Sequence, residues 1–162
     1  GLIGQYTSYL QSHKKVTWAA QKVHGITDAQ LADAPSLLSL WPVVKQQLQG
    51  RVLVAHGKGT EKKFLRTFPG HGFGPWVDTL LLARAIWPTW PDHSLGNICA
   101  RLNLEEIIQR HCPNKSWHDA LFDAVASMCL FEWIIQQMDL SRYPLSFFLN
   151  PDQSTWSKGE PM

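Results

Sequence analysis

The sequence has few cysteines, few charged residues and no long hydrophobic run among its 162 residues. Its three cysteines lack CxxC spacing, which argues against a disulfide framework or a zinc ribbon and favours a reducing compartment. No apolar segment approaches the roughly eighteen residues that a membrane span requires, and the first residues do not resemble a signal peptide. We therefore predict a cytoplasmic protein without a membrane partner.

The charge balance is also modest. With 15 basic and 13 acidic residues, the net charge of +2 is too small to predict a broad electrostatic surface for nucleic acid, so any such contact is expected to be local. A hydrophobic fraction of 44% and a charged fraction of 17% are typical of a globular chain, and the length fits one domain. Because the sequence starts with Gly1 instead of methionine, we expect a fragment or a processed chain.

Short β-branched and apolar segments alternate with helical patterns along the chain. We predict strands at residues 2–10, 51–56 and 76–80. The capping box TDAQ starts a helix at Thr27, and further helices are predicted at residues 36–49, 61–68, 81–87, 94–102, 105–111 and 117–138. From Tyr143 onward, repeated proline and glycine predict an extended or loosely packed tail. This order predicts an α/β fold with a mostly parallel central sheet, although three strands make a small sheet for so much helix.

The segment WHDALFDAVASM, residues 117–128, carries the strongest chemical signal. It places His118 at the start of a helix and Asp123 inside an apolar run. An unpaired, ionised carboxylate is costly to bury, so Asp123 needs a proton, a hydrogen bond or a cation. One interpretation is a metal-binding aspartate with His118 as a general base. The other is a helix-terminal histidine and an aspartate bonded to neighbouring backbone, because five helical residues rotate the two side chains apart by about 140°.

Five segments in order carry a resemblance to a known family. They are VHGITDAQLADAP (23–35), VLVAHGKGTEKKFL (52–65), VDTLLLAR (77–84), HSLGNICARLNL (93–104) and WHDALFDA (117–124). Together they resemble the DnaQ-like 3′-to-5′ exonucleases, proofreading-type nucleases of RNase H-like fold. The resemblance implies an α/β, RNase H-like mixed sheet with flanking helices. It also implies an exonuclease-like domain over residues 1–140 with a C-terminal extension at residues 141–162.

The resemblance implies a set of site residues as well. In the family, two divalent ions, Mg²⁺ or Mn²⁺, are held by acidic residues and hydrolyse phosphodiester bonds. Carried over to this chain, the general base is His118, the metal ligands are Asp123 and Glu61, and the substrate contacts are His24, Gly25, Ile26 and His56. Glu61 stands where the family has aspartate, and a solvated helix acid is its alternative interpretation. A tight turn explains residues 24–26 equally well, and a hydrogen-bonded core position explains His56.

The first motif of the family, an aspartate and a glutamate one residue apart, is absent before Val23. We therefore expect the first two strands of the fold to be missing from this chain and its metal site to be partial at most. The function implied is metal-dependent 3′-to-5′ hydrolysis at single-stranded DNA or RNA ends. The alternatives are a degenerate, non-catalytic domain that binds nucleic acid or a protein partner, and a homodimer or complementing chain that supplies the missing strands.

Two further features have two interpretations each. Trp87 and Trp90, with their neighbouring prolines, fit a base-stacking platform or a packed loop. Asp78, at the end of a predicted strand, fits a residue that ties down a turn.

Overall fold

The computed structural model describes residues 2–156. Within this range, ten helices surround a small parallel sheet of two strands. The first half contributes four helices and one strand, in the order α1 Trp18–His24, α2 Asp28–Ala32, α3 Leu37–Leu48, β1 Leu53–Ala55 and α4 Gly59–Leu65. The remainder contributes β2 Trp76–Asp78, α5 Thr79–Ile86, α6 Leu95–Arg101, α7 Glu105–His111, α8 Ala120–Gln137, α9 Ser146–Leu149 and α10 Gln153–Trp156.

The two strands pair in parallel, with Leu53 opposite Trp76 and Ala55 opposite Asp78. Val77 is fully buried, and the other strand residues are buried or half-buried, as expected for parallel strands covered on both faces. Parallel neighbours need a crossover connection, and α4 supplies it. The predicted alternation of strands and helices is therefore present, with β1 and β2 inside their predicted ranges.

The strand predicted at residues 2–10 is wrong. In the structure this segment has no regular secondary structure, and most of its residues are exposed. Side-chain hydrogen bonds connect it to the rest of the chain: the Gln5 amide donates to the carbonyl of His111 at 2.8 Å, and the Gln30 amide donates to the hydroxyl of Tyr9 at 3.4 Å. Directly after the segment, the Gln11 N–H donates to the carbonyl of Pro35 at 3.0 Å. Its β-forming composition does not produce a strand, because β propensity depends on a neighbouring strand that packs and pairs with it.

Side-chain caps fix where the first three helices begin. Thr27 and Gln30 form the predicted capping box of α2, and Ser36 caps α3 by accepting a hydrogen bond from the N–H of Ser39. Thr17 caps α1, a short helix that the sequence analysis did not predict. None of the residues in these three helices is buried.

The main core forms around α8 and β2. Its fully buried side chains come from five elements and include Val77, Leu82, Ile98, Ile108, Leu130 and Ile134. A second, smaller cluster joins the sheet to α3, where Trp41 stacks on Phe68 with 4.8 Å between ring centroids. No helix among residues 2–156 combines the length and hydropathy needed to cross a bilayer.

The expectation of a loosely packed tail is wrong for residues 146–156. Here the chain forms α9 and α10, and Phe148 and Trp156 are buried in the main core. Phe148 packs against Phe131 and Phe147, and Phe147 packs against Trp156, so burial of aromatic rings outweighs the nearby prolines. Residues 157–162 of the tail lie outside the described range, and the domain boundary at residue 140 stays a prediction.

Candidate active site

A cleft of about 900 Å³ lies where β1, α4, α6 and the start of α8 meet. Its lining contains the histidine and the two acids predicted as general base and metal ligands, His118, Asp123 and Glu61. The rest of the lining includes His56, Ser94, Gly96, Asn97, Glu105, Trp117, Ala120, Ala124 and Ser127. The fold therefore brings residues from distant parts of the sequence into one cleft.

His118 is held at the cleft by both of its neighbours. The Trp117 ring packs over the backbone of Gly96. Asp119 caps α8 by accepting two backbone N–H groups, and its carboxylate pairs with Lys115 at 2.6 Å. His118 itself is exposed and has a φ of +74°, a left-handed conformation that is uncommon for a histidine. The turn before α8 thus fixes the backbone of His118, while its imidazole ring stays accessible to solvent.

Asp123 lies in the first turn of α8 and is half-buried. Its Oδ1 accepts a hydrogen bond from the backbone N–H of His118 at 3.3 Å, which is the backbone contact given as its alternative interpretation. Burial raises the pKa of Asp123, and the hydrogen bond from His118 opposes that shift without cancelling it. The carboxylate charge is therefore only partly compensated by the protein.

Glu61 lies in the first turn of α4 and lines the same cleft. Its Oε2 atom is buried and has no hydrogen-bond partner among the described residues, which is costly for a carboxylate. Three carboxylates line this cleft, those of Glu61, Asp123 and Glu105, and the unpartnered oxygen of Glu61 fits a hard divalent cation. Mg²⁺ is commonly held by one or two carboxylates, with water and phosphate as its other ligands. No three His, Cys, Asp or Glu side chains within residues 2–156 form a group that could hold a metal.

His56 follows β1, lines the cleft and uses both of its ring nitrogens. Nδ1 lies 3.0 Å from the hydroxyl oxygen of Thr79, and Nε2 lies 2.8 Å from the carbonyl oxygen of His93. Burial lowers the pKa of His56. His56 is therefore hydrogen-bonded through both ring nitrogens, as its alternative interpretation predicts, and it also borders the cleft.

Asp78 ties the loop after β1 to the start of α5, as expected from its place at a strand end. Its carboxylate accepts hydrogen bonds from the N–H groups of Gly57 at 2.9 Å and Lys58 at 3.2 Å, and it caps α5. Gly57 has a φ of +82°, a conformation that favours glycine and explains that residue here.

The predicted substrate contacts at residues 24–26 do not line this cleft. His24 ends α1, and its Nδ1 accepts a hydrogen bond from the N–H of Ile26 at 3.0 Å. Gly25, between them, caps the helix with a φ of +70°. The tight turn given as their alternative is present, and their contact with substrate stays a prediction.

Four polar residues of the cleft lining were not predicted from the sequence: Ser94, Asn97, Glu105 and Ser127. Ser127 could have been found, because it lies one helical turn after Asp123 and therefore on the same face of α8. The other three come from α6, its N-cap and α7. Their approach to α8 depends on tertiary packing, so no local signal in the sequence points to them.

The aromatic cluster after α5 is packed internally. Trp90 stacks on Trp87 with 4.6 Å between ring centroids, and the Arg101 guanidinium lies over the Trp90 ring at 4.9 Å. Trp87 also contacts Trp133 of α8. These contacts match the packed-loop interpretation more closely than a platform for stacking bases.

Comparison with known proteins identifies the family. The sequence model of the exonuclease family named RNase T matches residues 2–131. The chain belongs to the DnaQ-like exonuclease family. The family predicted from the five sequence segments and the RNase H-like fold class are both confirmed.

This exonuclease domain resembles parts of much larger polymerase proteins. It is 34% identical over 113 residues to a DNA polymerase III subunit epsilon-like protein of Rhodobacter capsulatus. The aligned residues cover 67% of this chain and 15% of that protein. It is 28% identical over 131 residues to a PolC-type DNA polymerase III of Bacillus cereus. The aligned residues cover 78% of this chain and 9% of that protein. The chain therefore spans a small part of the length of these relatives.

A solved structure shows the same fold. Exonuclease X, in complex with 5′ overhanging duplex DNA, matches 86% of this exonuclease domain and 76% of its own chain. The TM-score is 0.67 and the sequence identity is 24%.

Proposed function

We propose that this chain is a metal-dependent 3′-to-5′ exonuclease domain that hydrolyses phosphodiester bonds at single-stranded DNA or RNA ends. Family membership supports the nuclease chemistry, and the DNA complex of the solved relative supports nucleic acid as the ligand. The divalent metal, the direction of hydrolysis and the preference for single strands are the parts that need a test.

The buried, unpartnered Oε2 of Glu61 is the observation that carries the proposal. It shares a cleft with Asp123, whose pKa is raised by burial. A cation held by both carboxylates would compensate the charge that the protein leaves uncompensated. A divalent ion there would neutralise phosphate charge and make water a better nucleophile.

His118 is the proposed general base. Its exposed position at the cleft suits a ring that exchanges protons with solvent between reaction cycles. In the proposed reaction the ring accepts a proton from water as the water oxygen bonds to phosphorus. The bond from phosphorus to the 3′-oxygen of the preceding nucleotide breaks, and that oxygen takes a proton from solvent, which leaves a 3′-hydroxyl on the shortened strand and a free 5′-mononucleotide. The predicted contacts at residues 24–26 would hold the terminal nucleotide.

The test is a hydrolysis assay on 5′-labelled single-stranded DNA and RNA, with Mn²⁺, with Mg²⁺ and with a chelator. We expect products that shorten from the 3′ end only when metal is present. Asp123→Asn should lower the rate at least about 100-fold, because metal assistance is worth several kcal/mol. His118→Ala should lower it by about 10²–10⁴-fold, the range for general acid–base catalysis.

Asp139→Asn and His13→Ala are matched controls, because both residues are exposed and neither lines the cleft. Both should hydrolyse at the wild-type rate. Hydrolysis that persists in chelator, or an Asp123→Asn variant as fast as wild type, would contradict the proposal.

The second candidate function is a degenerate, non-catalytic domain that binds nucleic acid or a protein partner. Glu61 in place of aspartate favours it, because one extra methylene moves a carboxylate and catalytic geometry is sensitive to about 1 Å. Wild-type chain that binds an oligonucleotide in Mn²⁺ without hydrolysing it would favour this candidate.

The protein-partner form of this candidate has its own support. Ala120 and Ala124 of α8 are exposed and line both the cleft and a second cavity of about 280 Å³ beside residues 6–10. Within residues 2–156, β1 pairs with β2 alone, so the other edge of β1 has no strand partner, and a strand from a second copy or a complementing chain would supply one. Measuring the mass of the purified chain in solution distinguishes a monomer from these assemblies.

A further inference from the structure

His56 connects three parts of the molecule that meet at the cleft. It follows β1 directly, and its Nδ1 lies 3.0 Å from the hydroxyl of Thr79, the first residue of α5. Its Nε2 lies 2.8 Å from the carbonyl oxygen of His93, in the loop that leads into α6. One imidazole thus joins a strand, a helix start and a loop.

The donor and acceptor at each end follow from the chemistry of the groups. A carbonyl oxygen only accepts, so Nε2 of His56 carries the hydrogen that is donated to His93. In a neutral ring Nδ1 is then an acceptor for the hydroxyl hydrogen of Thr79. The carbonyl oxygen of Ala55 is a second acceptor for that hydrogen at 3.3 Å, and Nδ1 is the nearer of the two. Burial lowers the pKa of His56 and so favours the neutral ring. Neither ring nitrogen is left for a substrate.

One end of this connection leads to a wall of the cleft. The residues after His93 line the cleft in an unbroken run, Ser94, Leu95, Gly96 and Asn97. We call residues 94–97 the cleft wall. The wall packs against Trp117 through Gly96, and Trp117 precedes His118.

The other end of the connection leads to α4. After His56, the N–H groups of Gly57 and Lys58 are bound by the Asp78 carboxylate, which fixes the path of the chain into α4 and Glu61. His56 therefore lies at the junction between the cleft wall and α4, the helix that bears the proposed metal ligand Glu61.

We propose that His56 is a positioning residue, which holds the cleft wall in place relative to α4 without touching the substrate. The effect on catalysis rests on the proposed nuclease function, whereas the connection itself is a property of the folded chain. This role is an alternative to the substrate contact predicted for His56 from the family resemblance.

Thr79→Val is the sharpest test, because Thr79 is fully buried and does not line the cleft. Valine has nearly the same shape but cannot donate to Nδ1 or to the Ala55 carbonyl at 3.3 Å. His56→Phe removes both hydrogen bonds, and His56→Gln keeps an amide N–H for the His93 carbonyl. With Mn²⁺ and a single-stranded oligonucleotide, His56→Phe should lower kcat about 10–100-fold with little change in KM, because small misplacements of catalytic groups are costly.

The other variants should follow the same pattern. Thr79→Val should lower kcat by a smaller factor, and His56→Gln should retain most of the activity. The double variant of His56→Phe and Thr79→Val should be no slower than His56→Phe alone, because both changes break one connection. His13→Gln, exposed and outside the cleft lining, is the control and should keep wild-type kinetics.

A direct substrate contact predicts the opposite kinetics. It gives a raised KM with unchanged kcat in His56→Phe and wild-type kinetics in Thr79→Val. Either result, or additive effects in the double variant, overturns the positioning role. If His56→Phe does not fold, Thr79→Val and His56→Gln still decide between the two roles.

Amide hydrogen exchange separates this proposal from the proposed function. Exchange at the Ile98 amide, whose N–H donates to the carbonyl of Ser94 in the cleft wall at 3.0 Å, should become several-fold faster in His56→Phe and Thr79→Val, while the buried residues of α8 stay protected. If both variants show this faster exchange but the wild-type chain hydrolyses nothing, the nuclease proposal is contradicted and the positioning role is kept. Unchanged exchange at the Ile98 amide in both variants would overturn the positioning role.

Discussion

The two regions on either side of residue 52 differ in packing. Between residues 2 and 52 no residue is buried, whereas every buried residue that the structure describes lies between residues 53 and 156. Large apolar side chains of the first region face solvent, including Ile3 at 98%, Trp18 at 71% and Leu38 at 73% exposure. In the second region, Ile108 and Leu130 are completely buried.

This difference places both the stability and the proposed chemistry in the second region. Burial of apolar surface is the dominant favourable term in folding, so residues 53–156 are expected to supply most of the free energy of unfolding. Glu61, His118 and Asp123 all lie there as well. The first region has well-formed helix caps but no fully buried residue. Its helix α3 packs against the second cluster through half-buried side chains such as Trp41, whereas local hydrogen bonds define α1 and α2 without a contact to either cluster.

The largest expected effect compares one leucine from each region. Leu130→Ala should lower the free energy of unfolding by about 2–5 kcal/mol, because it opens a cavity in the main core. Leu38→Ala should change it by less than about 0.5 kcal/mol, because Leu38 is 73% exposed. Urea unfolding followed by tryptophan fluorescence measures both values. Equal losses would break the comparison and would mean that Leu38 is covered in solution by a second chain.

The parts of the fold that could be predicted from the sequence are those where local signals agree with packing. The capping residues Thr27 and Ser36 start α2 and α3 where expected, because a cap is a contact between residues three apart. The short apolar runs of β1 and β2 also fall in their predicted ranges. Periodicity placed α8 correctly except for its first turn, where Asp119 caps the helix after His118.

The parts that could not be predicted depend on contacts between distant residues. Residues 2–10 have the composition of a strand, yet the structure pairs them with no other strand. In the tail, Phe148 and Trp156 are drawn into a core whose other members lie far away in the sequence. Among the cleft residues, the spacing of His118 and Asp123 is readable, whereas the presence of Glu105 follows only from how α7 packs on α8.

The second prediction concerns the pH dependence of the unfolding free energy, which should depend on His56 in the second region. Burial lowers the pKa of His56; the bond to the His93 carbonyl and the charge of Asp78 oppose this, and the charges of Arg84 and His93 add to it. The unfolded chain therefore binds a proton at His56 at a higher pH than the folded chain does. Stability from this residue is present above the ordinary histidine range and is lost as pH falls through it. As pH falls through the ordinary histidine range, the unfolding free energy should decrease, with a slope below the limit of about 1.4 kcal/mol per pH unit that a difference of one whole proton gives.

Unfolding titrations of two variants test this slope. His56→Gln should show a shallower dependence than wild type over the same pH range. His13→Gln, at an exposed position of the first region, is the control variant. A wild-type slope in His56→Gln would show that His56 takes up its proton equally well in the folded and unfolded chain.

The smallest expected effect compares one helix cap from each region. Asp119→Ala should lower the free energy of unfolding by about 1 kcal/mol, because it uncaps α8, whose inner face is in the main core. Thr27→Ala removes a complete capping box, yet it should cost less than about 0.5 kcal/mol, because α2 buries no residue and can fray without global unfolding. Urea unfolding of both variants gives the two values. A loss for Thr27→Ala as large as that for Asp119→Ala would mean that residues 2–52 unfold together with the core, and that the packing difference between the regions does not divide the chain into separate units of stability.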